Sequence, residues 1–272
     1  MDPTMVNDLD PGNKRSIDVE SYELSMSAMN SRIKSFLAEH EPQTKEHIVC
    51  YEVGPDSPLS DVARTVERIV FEKRFGNTSS DMAKIYGPYE ESSRFFLSVD
   101  RENGEPVGAL RVSTHSEAGL MTLNSLPEGM KPNLEQLEAT HNIQSLDDCW
   151  DVGTVAVLPA YRKQGIGVST QLYRGMYKSA MNEGIQHLLA IIDEKPLETM
   201  TKYLGIPFVP LMGLPPFSFE GSESSTAVYG YVPDFYQKMK KKSITVRGIM
   251  ARKALWPLVF GTKDDTIYLP RE

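Results

Sequence analysis

The chain has 272 residues, of which 40% are hydrophobic and 24% are charged, as in a soluble globular protein with one large or two small domains. Its formal net charge of −8 argues against a nucleic acid as the main partner. No apolar run has the length of a membrane span, no Cys/His cluster has metal-ligand spacing, and the two cysteines, Cys50 and Cys149, predict a reducing, cytoplasmic compartment.

The N-terminal region divides into two parts. Residues 1–17 are polar and acidic without an apolar core, which predicts a disordered tail. Residues 18–46 form a predicted helical extension, because apolar side chains recur at alternating spacings of four and three residues. The stripe fits a helix packed on its own domain better than a partner surface, and it consists of Tyr22, Met26, Met29, Ile33 and Phe36.

Strand and helix patterns alternate along the rest of the chain. An Asn-Gly pair within 101–105 predicts a hairpin between two of the strands. The predicted strands cover 47–53, 93–100, 106–114, 150–157, 186–193 and 226–233. The predicted helices cover 58–75, 133–142 and 166–183, with a further helix that runs to Leu204. This order indicates an α/β fold, and by itself it fits several folds of that class.

A glycine-containing loop follows the strand at 150–157. Gly165 and Gly167 precede a helix-like run that contains no proline. The first turn of a helix leaves backbone N–H groups unpaired, and glycine lets the backbone approach a ligand closely. Together with the cations of Arg162 and Lys163, this arrangement fits a phosphate or pyrophosphate. A β–α turn without a ligand fits the loop by itself equally well, and neither the P-loop nor the dinucleotide fingerprint matches.

The same segment resembles the acyl-CoA motif of the GCN5-related N-acetyltransferases (GNAT). The chain fills that motif with Val155, Val157, Pro159, Tyr161, Arg162, Gly165 and Gly167. The resemblance implies a GNAT-like α/β fold with a mixed sheet, an acyltransferase domain over 47–235 and a basic C-terminal extension over 236–272. It also implies that the strand binds the pantetheine arm of the donor and the loop binds its pyrophosphate. The implied donor contacts are Val155, Ala156, Val157, Arg162, Lys163, Gln164, Gly165, Ile166, Gly167 and Val168.

The middle of the chain resembles one branch of this superfamily, the acyl-homoserine-lactone synthases and N-acyl amino acid synthases. The matching residues are Arg68, Phe71, Phe75, Arg111, Trp150 and Asp151. The branch carries the motif Trp-Glu-x-x-Arg, in which this chain replaces the Glu with Asp151 and the Arg with Thr154. The resemblance implies a donor on CoA or an acyl carrier protein, whereas the missing Arg argues against lactone synthesis.

Acyl transfer from a thioester to an amine needs a neutral amine and a stabilised oxyanion. Candidate bases are Asp151, at the start of one strand, and Asp193, at the end of the next; His115 and Glu117 are weaker candidates. A solvated carboxylate at a strand end is an equally good interpretation of Asp151. Tyr203 is the candidate acid by resemblance, although it is offset by two residues from the family's tyrosine and also fits a core or surface position.

Two groups of basic residues have candidate binding roles. Arg68 and Arg111 are candidates for binding a carboxylate of the acceptor or acyl group, and an ion pair with acidic neighbours is the alternative, favoured for Arg68. Residues 238–253 hold seven basic residues and no acidic one. This run predicts docking of an acidic acyl carrier protein, with a solvated helix as the alternative, and the proposed contacts are Lys240, Lys241, Lys242 and Arg247.

We therefore interpret the chain as an N-acyltransferase. It is expected to move an acyl group from acyl-CoA or another acyl-phosphopantetheine thioester to the amine of a small molecule, without a metal. The alternatives are an enzyme similar to acyl-homoserine-lactone synthases and a GNAT-like module that binds acyl-CoA without turnover.

Overall fold

A computed structural model of the chain describes residues 19–40, 46–162, 167–203, 205–242 and 266–268. Its helices are α1 (Met26–Glu39), α2 (Ser60–Phe75), α3 (Ser79–Tyr86), α4 (Met121–Asn124), α5 (Leu134–His141), α6 (Gly167–Asn182), α7 (Glu194–Glu198) and α8 (Phe235–Lys242). Its strands are β1 (Ile48–Val53), β2 (Ser93–Asp100), β3 (Glu105–Thr114), β4 (Cys149–Val157), β5 (His187–Asp193), β6 (Val209–Pro210), β7 (Phe217–Phe219), β8 (Ser222–Tyr231) and β9 (Thr266–Tyr268).

In the described part of the chain, these strands form one mixed sheet. Its order is β6-β8-β5-β4-β3-β2-β1-β9, and β7 pairs with β8 as a hairpin. The pairs β4–β5 and β1–β9 are parallel, whereas the other pairs are antiparallel. This architecture confirms the mixed α/β sheet expected from the sequence, and it places β4 and β5 side by side near the middle.

The two faces of the sheet carry different long helices. Side chains alternate along a strand, so neighbouring residues of β2 point to opposite faces. Phe95 lies under Arg64 of α2, with the guanidinium carbon 5.4 Å from the ring centre. Ser98 points to the other face and donates a hydrogen bond to Gln171 of α6 over 2.9 Å. The sheet is therefore covered by α2 on one side and by α6 on the other.

The N-terminal helix α1 packs against the same core as the sheet. Met29, Ile33 and Phe36 are buried, and Phe36 meets Tyr51 of β1 edge to face at 5.1 Å. The apolar stripe thus covers the protein's own core, while Met26 at its start is 45% exposed. The side chain of Ser25 begins the helix by accepting a hydrogen bond from a backbone N–H of the first turn.

The two ends of the chain are described to different extents. The predicted tail at 1–17 lies outside the described residues. Two elements of the predicted C-terminal extension are described. Helix α8 follows β8, and β9 pairs in parallel with β1 at the edge of the sheet. None of the helices in the described residues combines the length and the hydrophobicity that a membrane-spanning helix requires.

Candidate active site

A cavity of about 390 Å³ opens where β4 and β5 separate. The two parallel strands pair only over Cys149–Val152 and His187–Ala190, and beyond this register their edges diverge. The end of α2, one side of α6, the β7–β8 hairpin and α8 close the gap. The apolar lining includes Phe71, Phe75, Met176, Tyr177, Phe208 and Phe235. A concave, mostly apolar space of this kind is typical of a small-molecule site.

A β-bulge in β4 lies at the wall of this cavity. Arg111 of β3 pairs with Thr154, whereas the next residue of β3 pairs with Val152, so Gly153 is the extra residue. From Gly153 to Val157, no strand among the described residues pairs with β4 on its β5 side. An extended ligand can add to such an edge through backbone hydrogen bonds.

The loop end of the cavity contains Arg162. This exposed side chain lines the cavity, and its Nε donates a hydrogen bond to the carbonyl of Val157 over 2.9 Å. Helix α6 begins at Gly167, and Val168 is buried against Gly108 of β3. Among the sequence-predicted donor contacts, Val155, Val157 and Arg162 line the cavity. Ala156 is buried in the core, and residues 163–166 lie outside the described part of the chain.

Asp193 stands at the end of β5 and lines the cavity. One carboxylate oxygen accepts a hydrogen bond from the Ser225 hydroxyl over 3.0 Å. The other oxygen lies 4.0 Å from Nε of Arg74, which also lines the cavity. The Asp193 side chain is 19% exposed. This carboxylate therefore has a neighbour at each oxygen and is still partly accessible from the cavity, where it can bind an ammonium group.

Asp151 faces a different neighbour. Its side chain is completely buried and accepts two hydrogen bonds from Thr122, from the backbone N–H over 2.6 Å and from the hydroxyl over 2.7 Å. Burial raises the pKa of Asp151 to about 6, although the Thr122 hydrogen bonds act in the opposite direction. Asp151 is absent from the described cavity lining. Its position attaches α4 to the sheet and keeps both carboxylate oxygens away from the cavity.

Arg111 belongs to a buried ion-pair network. Its Nη2 lies 2.8 Å from Glu67 and its Nη1 lies 2.7 Å from Glu90. Tyr22 accepts a further hydrogen bond from Arg111 over 3.1 Å, and Thr154 donates its hydroxyl to Glu67. Burial opposes the charge, but the adjacent carboxylate of Glu67 raises the pKa of Arg111 well above its usual range. The guanidinium of Arg111 therefore has its ion-pair and hydrogen-bond partners inside the protein.

Arg68 also lies outside the described cavity lining. Its Nη1 pairs with Glu72 over 2.7 Å and its Nε donates to the carbonyl of Tyr22 over 3.2 Å. These contacts correspond to the alternative interpretation of Arg68, an ion pair with an acidic neighbour. His115 likewise pairs with an acidic neighbour, Asp147, at 2.8 Å.

The remaining predicted site residues are described only in part. Tyr203 ends a π-helical turn, Thr199–Tyr203, and its side chain lies outside what the structure describes. Lys240, Lys241 and Lys242 form the end of α8, and Arg247 lies beyond the described residues. Two residues of α8, Phe235 and Met239, line the cavity, so the basic run starts on a helix that forms part of the wall.

The structure also brings Tyr86, Arg74 and Glu220 to the cavity, which the sequence did not indicate. Tyr86 ends α3, a helix of eight residues whose start carries a capping box formed by Thr78 and Asp81. The Thr-x-x-Asp pattern was a usable signal for this helix. Glu220 has a left-handed backbone, with φ of 41°, in the turn between β7 and β8.

Within the described residues, no group of three or more His, Cys, Asp or Glu side chains is arranged to hold a metal ion.

Comparisons with known proteins agree with this fold. Residues 64–198 match the acetyltransferase (GNAT) family. The structure resembles a CoA-dependent acyl-homoserine lactone synthase, BjaI, solved with SAM and isopentyl-CoA, at 17% identity and a TM-score of 0.53 over 83% of this chain and 95% of that one. It also resembles FeeM, an N-acyl amino acid synthase from uncultured soil microbes, at 16% identity and a TM-score of 0.52 over 70% and 94%. These structural likenesses concern the fold. No curated protein matches the sequence significantly.

Proposed function

This chain is an enzyme whose residues 64–198 belong to the GNAT acetyltransferase family, and we propose that it transfers an acyl group from a pantetheine thioester to the amine of a small molecule. The observation that carries the proposal is the cavity between β4 and β5. It extends along the strand edge from Gly153 to Val157 and reaches Arg162 near the start of α6. The edge of β4 suits the amide-containing pantetheine arm of such a donor, and the apolar cavity suits its acyl chain. The cation of Arg162 suits its pyrophosphate.

The donor is proposed to bind in an extended form along β4. The amides of the pantetheine arm pair with the strand edge from Gly153 to Val157, as an added strand would. The pyrophosphate binds the loop at 162–168, where the first backbone N–H groups of α6 and the cations of Arg162 and Lys163 favour an anion. The acyl chain occupies the apolar part of the cavity, which includes Phe71 and Phe208.

The chemistry begins at the bulge. A backbone N–H of β4 next to Gly153 stabilises the negative charge that develops on the thioester oxygen as the amine attacks. Asp193 accepts the first proton of the incoming ammonium, because its carboxylate lines the cavity and is 19% exposed. Asp151 is not assigned to this step, since its oxygens are bound to Thr122, and neither Arg68 nor Arg111 is assigned to the substrates.

Acyl-CoA is the proposed donor, with an acyl carrier protein as the alternative carrier. The similar lactone synthase was solved with isopentyl-CoA, which supports a CoA thioester. Lactone synthesis is disfavoured for this chain, because Thr154 stands where that branch has an Arg and its hydroxyl is bound to Glu67.

The test is thiol release by the purified protein with a series of acyl-CoA donors and a panel of small amines. Release that depends on both substrates supports the proposal. The same assay with S-adenosylmethionine and detection of lactone distinguishes the lactone-synthase alternative. Acyl-CoA binding in calorimetry without turnover on any amine would establish the binding module instead.

The donor site has its own test. Gly165→Asp introduces a carboxylate where the phosphate oxygens are proposed to bind, and the calorimetric Kd for acyl-CoA should rise at least about tenfold, which is 1.4 kcal/mol. Gly129→Asp is the control, because nothing lies within 4 Å of a side chain added there. Unchanged acyl-CoA affinity in Gly165→Asp would overturn the assignment of the loop.

A further inference from the structure

The ring of Tyr86 lies directly at the β4 bulge. Tyr86 is the last residue of α3, is 4% exposed and lines the cavity. A Cβ added to Gly153 would be 3.3 Å from Cε1 of Tyr86. The glycine therefore leaves just enough space for the ring edge to contact the backbone. This is the point at which the proposed thioester is attacked.

The position of the ring is fixed by the buried network. The guanidinium carbon of Arg111 lies 4.7 Å from the Tyr86 ring centre, in a cation–π contact. Arg111 is itself held by ion pairs to Glu67 and Glu90. Met82 and Met121 belong to the same small apolar cluster as Tyr86. These contacts bind the ring and leave its hydroxyl out of the network.

The hydroxyl of Tyr86 differs from those of its neighbours. Tyr22 accepts a hydrogen bond from Arg111, and Tyr89 accepts one from Asn124 over 2.9 Å. Within the described residues, the Tyr86 hydroxyl makes no hydrogen bond. Burial raises the pKa of Tyr86 strongly, and the carboxylate of Glu67 raises it further. Both effects favour the protonated phenol, so its hydroxyl is available as a hydrogen-bond donor.

The Tyr86 hydroxyl keeps access to the cavity that the residue lines, because it does not belong to the buried polar atoms that lack a partner. Such a donor in a cavity wall can bind water in the free protein and an acceptor atom of a ligand in the complex. In the proposed pose of the donor, the carbonyl oxygen and the sulfur of the thioester lie at the bulge. The oxygen is the partner of the strand backbone in the proposed pose, and the sulfur is left for a side chain on the other side.

We propose that Tyr86 is a further catalytic residue, which donates its phenolic proton to the sulfur of the acyl thioester as the amine displaces it. The inference rests on the proposed acyl transfer. The amine nitrogen forms the bond to the carbonyl carbon, the C–S bond breaks, and its electron pair goes to sulfur, which takes the Tyr86 proton. The remaining excess proton on nitrogen then returns to the phenolate. The net change is one proton moved from nitrogen to sulfur, so the residue ends each turnover as it began.

The first test compares two matched variants. Tyr86→Phe keeps the ring and its contact with Arg111 and removes only the hydroxyl. Tyr89→Phe makes the same change three residues later, at a side chain outside the described cavity lining. We expect Tyr86→Phe to lower kcat about 100-fold with a donor KM within about threefold of wild type, in the usual range for loss of a general acid. Tyr89→Phe should keep wild-type kcat, and thermal melting should show both variants folded.

The second test varies the leaving group. The same acyl group is supplied on N-acetylcysteamine, an alkyl thiol, and on thiophenol, whose anion leaves without a proton. If Tyr86 donates a proton to the sulfur, Tyr86→Phe should lower kcat/KM relative to wild type by about 100-fold with the alkyl thioester. With the aryl thioester, the loss should be about fivefold or less.

The outcomes separate this inference from the proposed function. Equal defects with both leaving groups, or no defect with either in an enzyme that turns over, would overturn the role of Tyr86 and leave the acyltransferase proposal standing. Wild-type protein that releases thiol from neither donor nor from acyl-CoA would overturn both.

Discussion

Thr122 donates two hydrogen bonds to Asp151, one from its backbone N–H over 2.6 Å and one from its hydroxyl over 2.7 Å. The pair joins the first turn of α4 to β4 inside the protein, where Asp151 is 0% exposed. This relationship gives Asp151 a structural role, although the sequence makes it an attractive candidate base. It also makes Asp151 a source of pH-dependent stability.

Asp151→Asn should change how stability depends on pH. The folded-state pKa is raised to about 6, whereas an unfolded chain has about 3.9. A raised pKa means that the stability contributed by the protonated carboxyl is complete below about pH 4 and is lost as pH rises through 6. The unfolding free energy of wild type should therefore fall relative to Asp151→Asn between pH 4 and 7, by up to about 3 kcal/mol.

Urea unfolding at several pH values measures this difference. Asp147→Asn is the control, because its carboxylate is 79% exposed beside His115. A constant difference between wild type and Asp151→Asn from pH 4 to 7 would contradict the prediction. The kcat of Asp151→Asn at neutral pH should stay within about threefold of wild type, since no reacting atom contacts it.

Asp193→Asn should lower kcat about 100-fold, because the amide cannot accept the proton of the acceptor ammonium. Donor affinity measured by calorimetry should change little. Ser225→Ala removes the hydrogen bond that orients the carboxylate and should cost about tenfold or less. If Asp193→Asn keeps wild-type kcat across the pH range, the amine loses its proton elsewhere.

Gly153→Ala should reduce kcat by about tenfold and stability by about 1 kcal/mol, the usual cost of mild overpacking. The new methyl group would lie 3.3 Å from the Tyr86 ring and so push the ring from the bulge. Gly129→Ala is the matched control, with nothing within 4 Å of the added methyl. Thiol-release kinetics and thermal melts of both variants measure the effect, and equal kcat in the two would refute it.

Arg111→Leu should destabilise the protein by about 3–5 kcal/mol, because it leaves the buried carboxylates of Glu67 and Glu90 without their shared cation. Arg68→Leu is the comparison. Arg68 pairs with Glu72, whose side chain is 49% exposed, so its loss should cost about 1 kcal/mol or less. Chemical denaturation measures the unfolding free energy of both variants. Similar losses of unfolding free energy in Arg111→Leu and Arg68→Leu would show that the buried network contributes no more to stability than a surface ion pair.

Charge reversal at Lys240, Lys241 and Lys242 tests the carrier. If an acidic acyl carrier protein docks on this run, replacement of the three with Glu should lower kcat/KM for a carrier-borne donor at least about tenfold at low salt. The loss should shrink as salt is added, and the same acyl group on CoA should react as with wild type. Equal losses on both donors would argue against docking.

The sequence by itself determined the features that depend on neighbouring residues. The periodicity of Met29, Ile33 and Phe36 predicted α1, and the glycines after the strand at 150–157 predicted a turn into α6. A mixed α/β fold followed from strand and helix order together with the GNAT-like motif. These signals are local, because a helix period, a strand period and a turn each extend over only a few residues.

Only the tertiary structure decided which side chains meet at the cavity. Asp151 and Asp193 look alike in sequence, yet one is bound to α4 and the other faces the gap between β4 and β5. Their difference depends on strand orientation and on where the parallel pair stops, which involve partners far away in sequence. Tyr86 reaches Gly153 across 67 residues of chain because α3 folds over the bulge. Such contacts result from packing, and no local pattern encodes them.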